Sequence, residues 1–247
     1  YLAPHDNAQT NVDNRLMPPF WMEGGSPEHI LGTDNLGRDV LSRIIIGSRV
    51  SLLVGVSSVI VAGFIGLVLG LISGYYGKWI DQVIMRLVDS FLAIPNILFM
   101  LIFLAVIGPS LASIIIVLGF TTWVVYARMV RSETLSVKER DYVKSARAVG
   151  ASDFIIIRRY ILPNIISSFI VIATLNVATT IILESSLSFL GIQPPEVSWS
   201  LMLSDGRDYL ATSWWVATFP GLAITITVLG IIFLGDWLRD VLDPKIK

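Results

Sequence analysis

Apolar residues run along this chain in five long blocks: Val50 to Tyr76, Phe91 to Ile107, Leu111 to Val130, Ile165 to Leu190 and Trp214 to Leu238. They are too long and too uniformly apolar for barrel strands, and a backbone in lipid must satisfy its own hydrogen bonds, so they predict helices. About 20 residues rising about 1.5 Å each cross a hydrocarbon core, which makes each block a membrane span. The second block is the shortest, and the residues before it are expected to extend it. The reading is an all-α, polytopic membrane protein. Its parts are an outer segment 1–49, a transmembrane domain 50–238 containing an inner loop 131–164, and an inner tail 239–247.

Composition agrees: 54% of the 247 residues are hydrophobic and only 15% are charged, a balance foreign to soluble domains. The absence of cysteine excludes disulfides and thiolate metal sites. The net charge of -1 says little, because in a membrane protein the placement of charge decides orientation.

Placing Gly77 to Ser90, Arg131 to Asn164 with the flanking Arg128, and the tail inside leaves only Arg15, Arg38, Arg43, Arg49 and Arg207 of the 18 lysines and arginines outside. That asymmetry is what the positive-inside rule expects of a cytoplasmic membrane protein. It also puts Tyr1 outside with no signal peptide before it. A preceding span is therefore expected, giving six in the natural protein.

The interruption from Asp141 to Asn164 is the most informative polar stretch. Helical spacing places Tyr142, Ala146 and Val149 on one side, with Lys144, Ser145, Arg147 and Ala151 around them, a short amphipathic cylinder able to lie on a partner. Gly150 allows a sharp change of direction or a close backbone approach. Phe154, Ile155, Ile156 and Ile157 suit a membrane interface, with Arg158 and Arg159 reaching for headgroups. Pro163 suits the first turn of the next helix. On the residues alone, a loop anchor and a docking helix both remain open.

The order of letters here, Lys144-Ser145-Ala146, then Gly150, then Tyr160-Ile161-Leu162-Pro163, resembles the cytoplasmic loop of ABC importer permeases. It departs at Lys144 and Ser145, where that family has Glu and Ala. Upstream, His29-Ile-Leu-Gly32-Thr33-Asp34-Asn-Leu-Gly37-Arg38-Asp39 is similar to dipeptide, oligopeptide and nickel permeases. So are Gln193-Pro194-Pro195, Ser198-Trp199, Asp205-Gly206-Arg207-Asp208, Phe219-Pro220-Gly221 and Gly235-Asp236 through Asp243-Pro244.

The resemblance covers essentially the whole chain and implies the second, "C"-type permease of a peptide importer, with a type I ABC importer permease fold. It implies a homologous second permease, two ATPase subunits inside that hold ATP and magnesium, and an extracytoplasmic substrate-binding protein. It also implies membrane lipid and no nucleic acid around the chain, no cofactor bound by it, and ATPase coupling through the residues around Lys144 to Gly150. Peptides are the leading cargo, with nickel or a metal chelate second.

Within the spans, Asn176, Thr180, Glu184 and Ser188 recur every four residues and share one slowly turning face. A carboxylate at membrane depth costs about 2.5 kcal/mol or more unless it faces protein or water. That face either lines a translocation route or makes an interhelical polar contact, and Glu184 near the outer interface is a third possibility. Gly66, Gly70 and Gly74 form small-xxx-small repeats that let helices approach closely. Pro95 and Asn96 predict a kink or an unwound turn.

Other function classes find little support. The histidines are His5 and His29, both outside the spans, so neither an intramembrane catalytic base nor a metal cluster is expected. Gly77-Lys78 lacks the glycine pattern of a phosphate loop, so ATP hydrolysis would belong to a separate polypeptide. An ATP-independent secondary transporter is the rival, although no paired half-repeats with coupling residues are visible.

Overall fold

The computed structural model describes residues 3–5 and 10–242, and among these there is no strand, only an isolated bridge between Thr33 and Asp39. Lys245, Lys247 and the Asp243-Pro244 pair lie outside the described residues.

The spans are longer than their apolar blocks. Helix α1 is Val40–Tyr76, α4 is Leu111–Lys138, and α9 is Trp215–Leu242. The ten-residue advance of α1 over the expected start has a local cause. Asp39 Oδ2 accepts the Ser42 backbone N–H at 2.7 Å, an N-cap bond that satisfies an amide the first turn would leave orphaned.

The second block is corrected more substantially. Helix α2 is Lys78–Leu92 and α3 is Asn96–Ile107, and their axes differ by 86°. The residues before the block form a helix that runs into its first two residues and then meets α3 at this bend rather than in line. Pro95 has no N–H to continue the ladder and disfavours helical geometry at Ile94, so α2 stops and α3 starts afresh.

The fourth block is also revised. Helix α5 is Asp141–Ala148 and α6 is Asp153–Ile156, from which the chain continues through residues 157–161 into α7, Leu162–Phe189, as one long helix. Pro163 is therefore interior rather than in a first turn. Residues 157–161 are π-helical, with the Leu162 N–H bonded to the Ile157 carbonyl five residues back. The wider turn accommodates a proline ring that would otherwise meet the carbonyl of Arg159.

Two compact units are present. One comprises Tyr1–Val56, Leu104–Ile114 and Ala178–Gly230. The described residues before α1 and those between Gly191 and Ser213 both pack within it. Val40, Met202, Trp215 and Val216 form a buried cluster flanked by Leu16, Met22, Leu31 and Phe219. The Trp215 indole donates to the Thr33 carbonyl at 3.1 Å, and the Trp199 indole to that of Ile44 at 2.8 Å. Trp199 opens the short helix α8, Trp199–Gly206. Two arginines here share one carboxylate: Arg43, only 1% exposed, and Arg38 both bond Asp34, and Arg43 also lies 3.7 Å from Asp205.

The other unit comprises Ser57–Phe103, Ile115–Val177 and Ile231–Lys247. Here α1 and α4 press backbone to backbone along the glycine repeat. A Cβ on Gly70 would lie 2.7 Å from the Ala127 carbonyl oxygen, one on Gly74 2.7 Å from Thr134 Cβ, and one on Gly66 2.7 Å from the Trp123 carbonyl oxygen. The repeat serves helix contact, as the small residues suggest.

Candidate functional site

Helix α5 is an eight-residue projection held by one apolar anchor. Val143 is buried among Tyr75, Val130, Val137, Ile156 and Ile161, while its neighbours Tyr142, Lys144 and Ser145 are exposed and Ala146 is half-buried. The face expected to be apolar thus divides. Val143 and Ala146 turn inward, whereas Tyr142 and Val149, the latter 89% exposed, remain uncovered. Val143 was not singled out by periodicity because its partners lie far away in the sequence.

The helix ends abruptly. Gly150 has φ +90 with nothing within 4 Å of where a Cβ would sit. Its role is the left-handed turn, not a close approach. The Ala151 N–H reaches back to the Ala146 carbonyl at 3.1 Å, the six-to-one bond of a glycine-terminated helix. Ala151 is half-buried against the Val143 cluster. Ile156 is fully buried in that cluster rather than at an interface, while Phe154, Ile155, Arg158 and Arg159 stay exposed.

Polar contacts brace the base of α5. The Tyr75 hydroxyl donates to Asp153 Oδ1 at 2.6 Å, and the Arg147 guanidinium lies 5.5 Å from the centre of the Tyr75 ring. Lys138 donates to the Tyr75 carbonyl. Lys144 pairs with Glu139 at 3.1 Å, an exposed pair of little energetic weight. Behind Tyr75, Arg131 grips Asp81 with two bonds of 2.5 and 2.6 Å, bidentate geometry that fixes direction as well as distance. The arrangement presents a small exposed surface of Tyr142, Lys144, Ser145, Val149 and Gly150 on a base tied to α1 and to the long helix beginning at Asp153.

The polar face in the spans is placed differently. Thr180, Glu184 and Ser188 are buried and Asn176 is half-buried. Glu184 accepts a hydrogen bond from Ser200 Oγ, and Ser200 shares a 2.8 Å contact with Ser198. For Glu184 this is an interhelical polar contact, from α8 to α7. One expectation needs correction: His5 and His29 do form a cluster, their tilted rings 5.0 Å apart beside Asp39.

The family described as "Binding-protein-dependent transport system inner membrane component" matches residues 66–247. A di/tripeptide transport system permease protein of Pseudomonas aeruginosa is 41% identical over all of this chain and 82% of its own length. A glutathione transport system permease protein of Escherichia coli is 45% identical over all of this chain and 80% of its length. Among solved structures, an inward-facing MetNI methionine ABC transporter matches 81% of this chain and 95% of its own at a TM-score of 0.66 and 20% identity. That likeness is one of fold: the described helices adopt the type I ABC importer permease arrangement.

Proposed function

We propose, from the premise that this chain belongs to the family of binding-protein-dependent transport system inner membrane components, that it is the permease subunit carrying short peptides across a bacterial cytoplasmic membrane. The observation that carries the reading is α5: an exposed helix, ended by Gly150, on a rigidly bonded base. Relatives named for di- and tripeptides and for glutathione suggest cargo of two or three residues.

In this reading a homologous permease completes the pathway, and two ATPase subunits bearing ATP and magnesium dock on Tyr142, Lys144, Ser145, Ala146, Val149 and Gly150. Closure of the ATPases pushes on α5. Val143 and Arg147 pass the load to Tyr75 at the end of α1, and the bond from Tyr75 to Asp153 passes it to the following long helix. Tilting those helices alternates access, a two-state change biased by nucleotide. An extracytoplasmic binding protein delivers cargo to the outer segment and the loop after Gly191. No bond in the cargo is made or broken in this chain.

The test is copurification with coexpressed ATPase subunits, with uptake of labelled dipeptide, glutathione and nickel measured in parallel. Ala146→Trp and Gly150→Val should abolish the complex and ATP-dependent peptide uptake. Uptake that persists without an ATPase would instead establish a secondary transporter, and uptake of nickel alone would reassign the cargo.

A further inference from the structure

The outer unit contains a cluster that transport, as described above, leaves unused. His29, buried to 8% exposure, directs Nδ1 at Asp39 Oδ1 from 3.1 Å. His5 directs its own Nδ1 at the other oxygen, Oδ2, from 3.8 Å. One donor atom from each of the three residues lies within 4.8 Å of the other two. His5 Nδ1 is buried and has no hydrogen-bond partner among the described residues.

A single histidine bonded to a carboxylate would be an ordinary buried pair. A second imidazole aimed at the same carboxylate, with its nitrogen unsatisfied, is not explained that way. Two imidazolium rings 5.0 Å apart would bring two positive charges against one negative charge. A divalent cation between the three donors resolves both difficulties, because it takes lone pairs from neutral imidazoles and balances the carboxylate.

We propose that His5, His29 and Asp39 form a binding site for a divalent transition-metal ion of the zinc class. Donors bound tetrahedrally at about 2.0–2.1 Å from zinc are separated by roughly 3.3 Å; the two imidazole nitrogens lie 3.1 and 3.8 Å from the two oxygens of Asp39, and one donor from each residue lies within 4.8 Å of the others, a set that side-chain adjustment closes onto an ion. Two imidazole nitrogens and one carboxylate oxygen favour zinc, nickel or cobalt over magnesium and calcium, which prefer all-oxygen sets.

The donors are held from behind. The His5 N–H donates to Ser42 Oγ at 2.9 Å, while Asp39 Oδ2 accepts the Ser42 N–H at 2.7 Å, so both are hung on the first turn of α1. His5 keeps 37% of its side chain exposed, which supplies an entry path. The ion would fasten the stretch around His5 to the start of a membrane span. The site stands independently of the cargo assignment.

The experiment uses the full chain in its transporter complex, purified in detergent with a tag that contains no histidine. Protein stripped with chelator is incubated with zinc chloride and desalted, then assayed for metal by mass spectrometry and for its unfolding temperature. About one zinc per chain and a raised unfolding temperature are expected, with magnesium giving neither.

His5→Ala is the decisive variant, because the backbone bond to Ser42 does not need its side chain; it should lose the zinc and the temperature rise while unfolding normally without metal. His29→Gln, which retains a polar partner for Asp39, should lose zinc likewise. Wild-type protein that keeps no zinc, or a His5→Ala protein that keeps as much as wild type, overturns the proposal.

Discussion

The Tyr75 hydroxyl donates to Asp153 Oδ1 at 2.6 Å, linking the C-terminal end of α1 to the first residue of α6 across 78 positions of sequence. Tyr75→Phe keeps the ring beneath Arg147 and removes the hydroxyl's bond to Asp153. The expected stability loss is about 0.5–1.5 kcal/mol. The telling readout is coupling: peptide uptake per ATP hydrolysed in proteoliposomes should fall, while ATPase subunits still copurify.

At Gly150, any side chain meets open space but a left-handed backbone. Gly150→Ala should cost about 1–2 kcal/mol, and Gly150→Asn less, since asparagine tolerates that conformation. Titration of the permease with ATPase subunits should show affinity falling in the order Gly, Asn, Ala.

Gly70 offers the opposite case. With the Ala127 carbonyl oxygen 2.7 Å from the position of a Cβ, Gly70→Val must separate α1 from α4. A loss of about 1–3 kcal/mol or more is expected, read as a lowered unfolding temperature in detergent.

Arg43→Met leaves Asp34 as a buried carboxylate with only the partly exposed Arg38 beside it. Breaking a buried pair from one side costs about 3–5 kcal/mol. The double variant Arg43→Met, Asp34→Asn should recover much of that loss, and thermal unfolding of all three proteins measures the difference.

Glu184 separates structure from transport. Glu184→Gln can still accept from Ser200, whereas Glu184→Leu removes that acceptor and leaves the Ser200 hydroxyl its contact with Ser198 alone, at a cost of about 0.5–1.5 kcal/mol. If the contact is structural, the Gln protein should transport at the wild-type rate. A Gln protein that is stable yet transports several-fold more slowly would assign the carboxylate to the pathway.

What was legible in the sequence follows physical range. Gly66, Gly70 and Gly74 could be read as a helix contact because their spacing is local and their meaning in a span is narrow. The turn at Gly150 was legible for the same reason. Val143 was not, because its burial is decided by Tyr75 and Ile156, which no periodicity within α5 can see. Hydropathy hid the start of α1, although Asp39 three residues before Ser42 is an ordinary capping signal. The meeting of His5 with His29 needed the fold of the outer segment, since the two residues share no element.

The π-helical turn at residues 157–161 limits any arithmetic done along the chain. Each residue advances an α-helix by about 100°, so the extra residue in the widened turn rotates everything downstream by roughly that angle. Residues spaced by three or four across the turn do not share a stripe. A one-residue deletion there would swing Asn176, Thr180, Glu184 and Ser188 together to a new azimuth, like a key turned in its lock.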